Sequence, residues 1–372
     1  MKYLSTRGGH ERLTFEEAVL QGLAPNGGLY VPAEMPTFPD DWQTAWASLT
    51  FVELSFQIVS LFVPTTAEEG GIPPDDLREL ITKSYATFRH EDVTPLRRVS
   101  EHEWCLELWH GPTFAFKDVA LQLLGNLFEY FLARRNATAS NANRADRAPH
   151  TLTVLGATSG DTGSAAIAGL RSKENIHIFI LHPRGRVSPI QEAQMTTVLD
   201  DNVHNLAVDG TFDDCQDIVK ALFSDKAFND QHHLGAINSI NWARILSQIV
   251  YYFAAFFALR REQPQIDASS VQVVVPTGNF GDILAGYYAK RLGVPMSKLV
   301  VATNENDILQ RFWATGRYEK ESASGEVRAT LSPAMDILVS SNFERLLWYL
   351  AHESDTEADD KEEAAGQQVT QW

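Results

Sequence analysis

TLTVLGATSGDTGSAAIAGL, residues 151–170, holds a branched apolar run, a turn and the opening of a helix, in that order. Thr151–Leu155 has the β-branched, apolar character of a strand, and Gly156–Gly163 supplies the glycines and hydroxyls of a tight turn. Ser164–Leu170 then takes helical spacing. The unit recurs downstream. Ile176–Leu181 reads as a second strand ended by His182-Pro183, Ser188–Leu199 as a helix, Val203–Val208 as a third strand, and Asp213–Ser224 as the next helix. Val271–Val275 reads as a further buried strand that runs into the turn Pro276–Asp282 and a helix over Ile283–Leu292. Leu299–Thr303 is another strand, followed by helices at Asp307–Thr315 and Asn342–Leu350. Strands alternating with helices at this spacing predict βαβ units, hence an α/β fold with a parallel sheet covered on both faces.

The rest of the chain is arranged around this pattern. Residues 1–92 read as a largely helical N-terminal region. Thr14 followed by Glu17 forms a capping-box pattern, and amphipathic helices lie around Phe51–Phe62 and Asp75–Phe88. Arg7, in the strand and turn Tyr3–Gly9, is either an exposed loop charge or a contact for an anion. Two α/β domains are expected, a larger one from residues 93–135 and 236–350 and a smaller one over 151–235. The polar stretch 136–150 has no period and reads as a solvated insertion; the acidic stretch 351–372 reads as a disordered tail. Ile245–Leu259, the longest apolar stretch, contains Ser247 and Gln248 and is too short for a bilayer, so it reads as a buried helix.

Composition narrows the function classes. A chain of 372 residues with 44% apolar and 21% charged residues has the balance of a soluble enzyme with a substantial core. Its formal charge of −17, with −6 on residues 351–372, argues against nucleic acid or an anionic membrane as partner. Cys105 and Cys215 form no CxxC pattern and read as free thiols of a reducing compartment, not a metal site. The start MKYLSTRGGHERL has no apolar h-region, which predicts no signal peptide and a cytoplasmic location.

Two strand-to-helix turns are candidates for chemistry. Gly156, Gly160 and Gly163 are spaced G-x-x-x-G-x-x-G, which is not a dinucleotide fingerprint, and neither this turn nor Gly278–Asp282 carries the G-K-[ST] of a P-loop. Both turns suit anions, because backbone N–H groups can approach closely at a helix N-terminus; glycines that only satisfy turn geometry are the alternative. A third candidate is Lys117, within LELWHGPTFAFKDVALQLLGNLFEYFL, residues 106–132. Gly111-Pro112 marks a turn, Thr113 is a candidate cap, and the run from Val119 to Phe131 is a core helix, which places Lys117 at a helix N-terminus among aromatics. Such surroundings disfavour the ammonium and favour the neutral amine of a Schiff-base lysine. A lysine that snorkels to water is the other reading of this segment. A lysine for an aldehyde, a cradle for a phosphate and a loop for an amino-acid carboxylate are together what pyridoxal phosphate requires.

The segments HGPTFAFKD, ATSGDTG, NSINWARI, PTGNFGDILAG, ATNEND and SPAMDI with SSNFERLLW, together with STRGG and GLAPNGGLYVP near the start, resemble threonine synthases, the fungal type most closely. These are fold-type II pyridoxal-phosphate enzymes. The resemblance is colinear to about Leu350. It implies that Lys117 forms the Schiff base and shuttles protons, and that Gly278, Asn279, Phe280, Gly281 and Asp282 bind the cofactor phosphate, largely through backbone N–H groups. It implies further that Thr158, Ser159, Gly160, Asp161 and Thr162 hold the substrate carboxylate or phosphate, with Asn238, Ser239, Asn241 and Arg244 also facing the substrate. The reaction implied is the last step of threonine biosynthesis, O-phospho-L-homoserine and water to L-threonine and phosphate, carried out by a monomer or weak homo-oligomer. The family continues past Leu350 with elements that offer a Ser or Thr hydroxyl to the pyridine nitrogen, so the resemblance predicts a chain lacking that part. Another pyridoxal-phosphate phospho-lyase or dehydratase, or a catalytically silent protein of the same fold, are the alternatives.

Overall fold

Strand-forming and helix-forming segments alternate through the middle of the chain, and the computed structural model shows how they assemble; it describes residues 1–141, 149–319, 327–354 and 360–371. The N-terminal region contains β1 (Tyr3–Ser5), α1 (Phe15–Gln21), β2 (Tyr30–Pro32), α2 (Trp42–Ala45), α3 (Phe51–Ser60) and α4 (Pro74–Tyr85). The Thr14/Glu17 capping box is formed in both directions at the start of α1, and Thr50 with Glu53 forms another at α3. An antiparallel pair, β3 (Leu96–Arg98) and β4 (Trp104–Leu106), leads to the core helix α5 (Asp118–Asn141).

The smaller sheet system follows as β5 (Leu152–Ala157), α6 (Asp161–Leu170), β6 (Ile176–Pro183), α7 (Pro189–Thr196), β7 (Val203–Val208), α8 (Phe212–Ser224), α9 (Lys226–His232) and β8 (Leu234–Ala236). Its four strands are all parallel, in the order β7-β6-β5-β8. The remainder comprises α10 (Trp242–Glu262), β9 (Gln272–Pro276), α11 (Gly281–Arg291), β10 (Lys298–Ala302), α12 (Ile308–Thr315), α13 (Phe343–Ser354) and α14 (Lys361–Gln371), with β9 and β10 paired in parallel. This is the α/β, parallel-sheet architecture that the spacing of residues 151–303 predicts.

α10 is long and apolar enough to cross a membrane, yet it is the central core helix, packed against α3, α5 and α11 with Ser247 and Gln248 buried. α5 and α6 touch through glycines. A Cβ on Gly125 would lie 2.0 Å from the carbonyl oxygen of Gly169, and only two bare backbones fit that crossing.

Four expectations are corrected. The insertion expected from residue 136 starts later, because α5 continues to Asn141; residues 142–148 of it lie outside the described residues. Val271–Val275 is not a buried strand. Val274 is 62% exposed, because β9 has one neighbour among the described residues and one face of that pair stays uncovered. The acidic tail expected over 351–372 is not disordered where it is described: α13 runs to Ser354, and Lys361–Gln371 forms α14, with Ala365 and Val369 buried. Residues 355–359 of it, and Trp372, lie outside the described residues. α14 is held by residues far away in sequence. Glu362 pairs with Arg12, Glu363 accepts from the Gly9 N–H at 3.0 Å, and Gly366 lies directly on the Gly8 backbone. Finally, Thr113 does not cap α5. Its N–H and hydroxyl donate to the buried Asp118 carboxylate at 2.8 and 2.7 Å, so the acid organises the turn instead.

Candidate active site

Three turns leave the carboxyl ends of parallel strands and meet in one cleft, the place where open α/β sheets bind ligands. Thr158–Thr162 follows β5, Asn238–Asn241 follows β8, and Gly278–Gly281 follows β9. Ser159, Asp161, Asn238, Ser239 and Asn279 line this cleft of about 1530 Å³ together with Lys117.

Lys117 sits one residue before α5 and is 7% exposed, its Nζ 4.8 Å above the Phe116 ring centre. Burial pushes its pKa below the ordinary lysine value; the Asp161 carboxylate, 2.5 Å from Nζ, opposes that shift, and the Arg244 guanidinium adds to it. The snorkelling alternative is therefore excluded by the packing. The loop that delivers the lysine is clamped from two sides. Asp118 holds Thr113 from within, and Arg89 spans the turn from outside. The Arg89 N–H donates to the His110 carbonyl at 2.9 Å, its guanidinium donates to the Gly111 and Pro112 carbonyls, and that group lies over the Phe114 ring.

The other predicted site residues divide into those at the cleft and those turned away from it. Thr158 is buried, and its hydroxyl accepts from the Gly160 and Gly163 N–H groups at 3.0 and 2.9 Å, so it shapes the turn that presents Ser159, Asp161 and Thr162. Asp161 faces Lys117 instead of standing free for an anion. Asn238 and Ser239 line the cleft, but Asn241 does not face it. Asn241 caps α10 through the Ala243 N–H and donates to the Val19 carbonyl at 2.8 Å, so its side chain is used up inside the core. Arg244 is 2% exposed and bonds Ile237 at 3.4 Å through Nη1; its Nε has no partner among the described residues. Burial pushes its pKa down to about 10.

At the third turn, Phe280 takes the left-handed conformation (φ +64°) and packs on Phe343. Among the described residues, the N–H groups of Asn279, Phe280 and Gly281 donate to no protein acceptor. The Asp282 side chain points inward, taking the Tyr251 and Tyr252 hydroxyls at 2.5 and 2.9 Å. Any part it plays toward a ligand passes through its place at the α11 N-terminus, not through its carboxylate. Arg7 is occupied as well, its guanidinium held by both oxygens of Glu344. A desolvated lysine, free N–H groups at a helix start and an orphaned buried guanidinium Nε fit a phosphorylated aldehyde cofactor.

Asn342 and Arg345 carry no role in the sequence reading and yet join the turns. Asn342 bonds the Ser239 and Asn279 carbonyls through Nδ2 at 3.1 and 2.9 Å. Fully buried Arg345 bonds Asn342, Tyr30 and Ile240. The SSN triplet ahead of a helix is the signal that marks the place, but nothing local tells which carbonyls it reaches.

The amine should be observable directly. With Lys117 as the candidate for the aldehyde, capture of pyridoxal phosphate by the apo protein should follow its neutral form, whose fraction rises as pH passes its pKa. Since that pKa lies below the ordinary value of 10.5, the capture rate should reach half its maximum below pH 10.5. Asp161 favours the ammonium, so Asp161→Asn should move the midpoint to still lower pH. Stopped-flow absorbance of the bound cofactor across pH measures both, and a midpoint moving upward in the variant contradicts the geometry.

Comparison with known proteins shows the family. Residues 2–85 match the family described as "Threonine synthase N terminus" and residues 87–368 the family "Pyridoxal-phosphate dependent enzyme". The second match passes Leu350, where the resemblance was expected to stop, and takes in most of α14. Threonine synthase of Schizosaccharomyces pombe is 59% identical over 358 residues, 94% of this chain and 67% of that protein. The crystal structure of threonine synthase from yeast superposes with a TM-score of 0.89 at 54% identity, over 100% of this chain and 70% of that one. A threonine synthase from Brucella melitensis, solved with pyridoxal phosphate bound, gives 0.86 at 46% identity, over 100% of this chain and 72% of that one. Matched over residues 2–85 and 87–368 and sharing more than half of its residues with threonine synthases along nearly its whole length, the chain belongs to the threonine synthase family of pyridoxal-phosphate-dependent enzymes.

Proposed function

We propose that this chain converts O-phospho-L-homoserine and water into L-threonine and phosphate, using pyridoxal phosphate. The observation that carries this reading is the desolvated Lys117 amine in one cleft with an anion-suited turn and a hydroxyl-rich turn. The cofactor, when bound, supplies the electron sink for charge that develops at the substrate Cα. Lys117 would hold it, and the Asn279, Phe280 and Gly281 N–H groups would take its phosphate.

The protein's own groups account for the remaining steps. A neutral Lys117 Nζ is a positioned base for the Cα and Cβ protons, and burial keeps it from holding a proton too tightly to return it. Asp161, in contact with Nζ, orients the amine and steadies it whenever it carries a proton. Ser159, Thr162, Asn238 and Ser239 would hold the substrate's polar groups. Arg244 would face the departing phosphate, where a donor fixed in place needs no reorganisation as charge builds up. Its orphaned Nε supports that role.

A formal charge of −17 argues against nucleic acid or an anionic membrane as partner, and two free cysteines are in keeping with the cytosol. We read the protein as a monomer or weak homo-oligomer. The holoenzyme incubated with O-phospho-L-homoserine should release phosphate and L-threonine in equal amounts, with little turnover of O-phospho-L-serine. Phosphate release from phosphoserine without threonine from phosphohomoserine would replace this reading with that of another phospho-lyase.

A further inference from the structure

The turn after β9 is shaped from behind. Ser340 Oγ donates to the Gly278 carbonyl at 2.6 Å. Asn342 donates twice to the Asn279 carbonyl, from its backbone N–H at 3.1 Å and from Nδ2 at 2.9 Å. A trans peptide has its C=O and N–H on opposite sides, and no peptide bond among the described residues is cis. Fixing the carbonyls of Gly278 and Asn279 therefore fixes the N–H groups of the next residues, Asn279 and Phe280, on the other side of the turn. Those N–H groups meet no protein acceptor among the described residues. Successive free N–H groups around a left-handed residue form an anion-binding concavity, and Phe280 is that residue.

We propose that Ser340 and Asn342 are positioning residues for a phosphate monoester: they hold two carbonyls so that the Asn279 and Phe280 N–H groups stay aimed at it. The inference rests on the reading that this turn takes the cofactor phosphate. The pair is well placed for the task. Both side chains are buried, and Ser340 is itself held by the Tyr318 hydroxyl, which accepts its N–H at 2.6 Å. Asn342 is held by Arg345 Nη1 on its Oδ1 at 2.5 Å, which leaves both Nδ2 protons for the Ser239 and Asn279 carbonyls. The Asn238–Asn241 turn is thereby locked to the phosphate turn.

The test compares pyridoxal 5′-phosphate with pyridoxal, which keeps the aldehyde for Lys117 and lacks the phosphate. Apo protein of wild type, Ser340→Ala and Asn342→Ala is titrated with each compound, and the melting temperature of each apo protein is recorded. Wild type should prefer the phosphorylated compound. In each variant that affinity should fall about tenfold, while pyridoxal binding stays within about twofold. Equal losses for both compounds, or no loss for either, would sink the positioning role while leaving the cradle in place. A wild type without preference for the phosphorylated compound would remove the cradle reading and this inference with it. Ser340→Ala deletes one hydroxyl, so it decides the matter even if Asn342→Ala does not fold.

Discussion

Replacing Lys117 with alanine is expected to lower threonine formation by at least about 10³-fold, the scale of losing a nucleophile that also serves as base. The reason lies in what surrounds the amine. At 7% exposure it cannot be replaced by a water at the same position with the same basicity, and among the described residues no other lysine lines the cleft near Asp161. Lys220, which also borders the cleft, is on α8 and pairs with Asp217. The variant should keep its fold, because deleting a buried cation relieves a desolvation cost; Asp161 loses its partner but is half-buried and can take up water. Steady-state threonine production and the visible absorbance of bound cofactor are the measurements. A variant that keeps the absorbance of wild type and forms threonine at a comparable rate would overturn the assignment of Lys117.

The second large effect concerns stability. Arg345→Met is expected to destabilise the protein by about 3–5 kcal/mol. Arg345 is fully buried, and burial pushes its pKa down to about 10. Its guanidinium donates to the Tyr30 carbonyl at 2.9 Å, the Ile240 carbonyl at 2.7 Å and Asn342 Oδ1 at 2.5 Å. Methionine keeps much of the apolar volume, so the loss isolates the three acceptors left without a donor, each worth about 1–3 kcal/mol when buried. The acceptors belong to β2, the Asn238–Asn241 turn and the start of α13. The N-terminal region and the cleft should therefore loosen together, and cofactor affinity should fall along with the unfolding midpoint. Denaturant unfolding of the apo protein reads the first effect. A change within about 1 kcal/mol would mean that water or a rearranged turn satisfies those carbonyls.

Much of the architecture was legible because it is written in short-range pattern. The run 151–170 carries strand, turn and helix in contiguous order, and its repetition leaves a parallel α/β sheet as the arrangement that suits it. Thr14 and Glu17 announce a cap because both partners lie within one helical turn. Lys117 stands out since a cation inside an apolar helical run is rare enough to need a reason. The turns at 156–163 and 278–282 stand out because glycine and hydroxyl clusters between strand and helix have few other uses.

What the sequence left undecided depends on partners hundreds of residues apart. α14 has too few apolar residues to show a period, and it is ordered by Arg12, Gly9 and Gly8 at the far end of the chain. Asn241 and Asp282 belong to segments that looked ligand-facing. The packing sends one into an α10 cap and the other onto two tyrosines, because each buried polar group takes the nearest partner that satisfies it. By itself the sequence determined the class of fold and singled out the lysine and the turns as candidates, since each is a local choice of residue type and spacing. Only the tertiary structure decided which groups of each turn face the cleft, because that depends on which carbonyls Ser340, Asn342 and Arg345 reach after the chain has closed on itself.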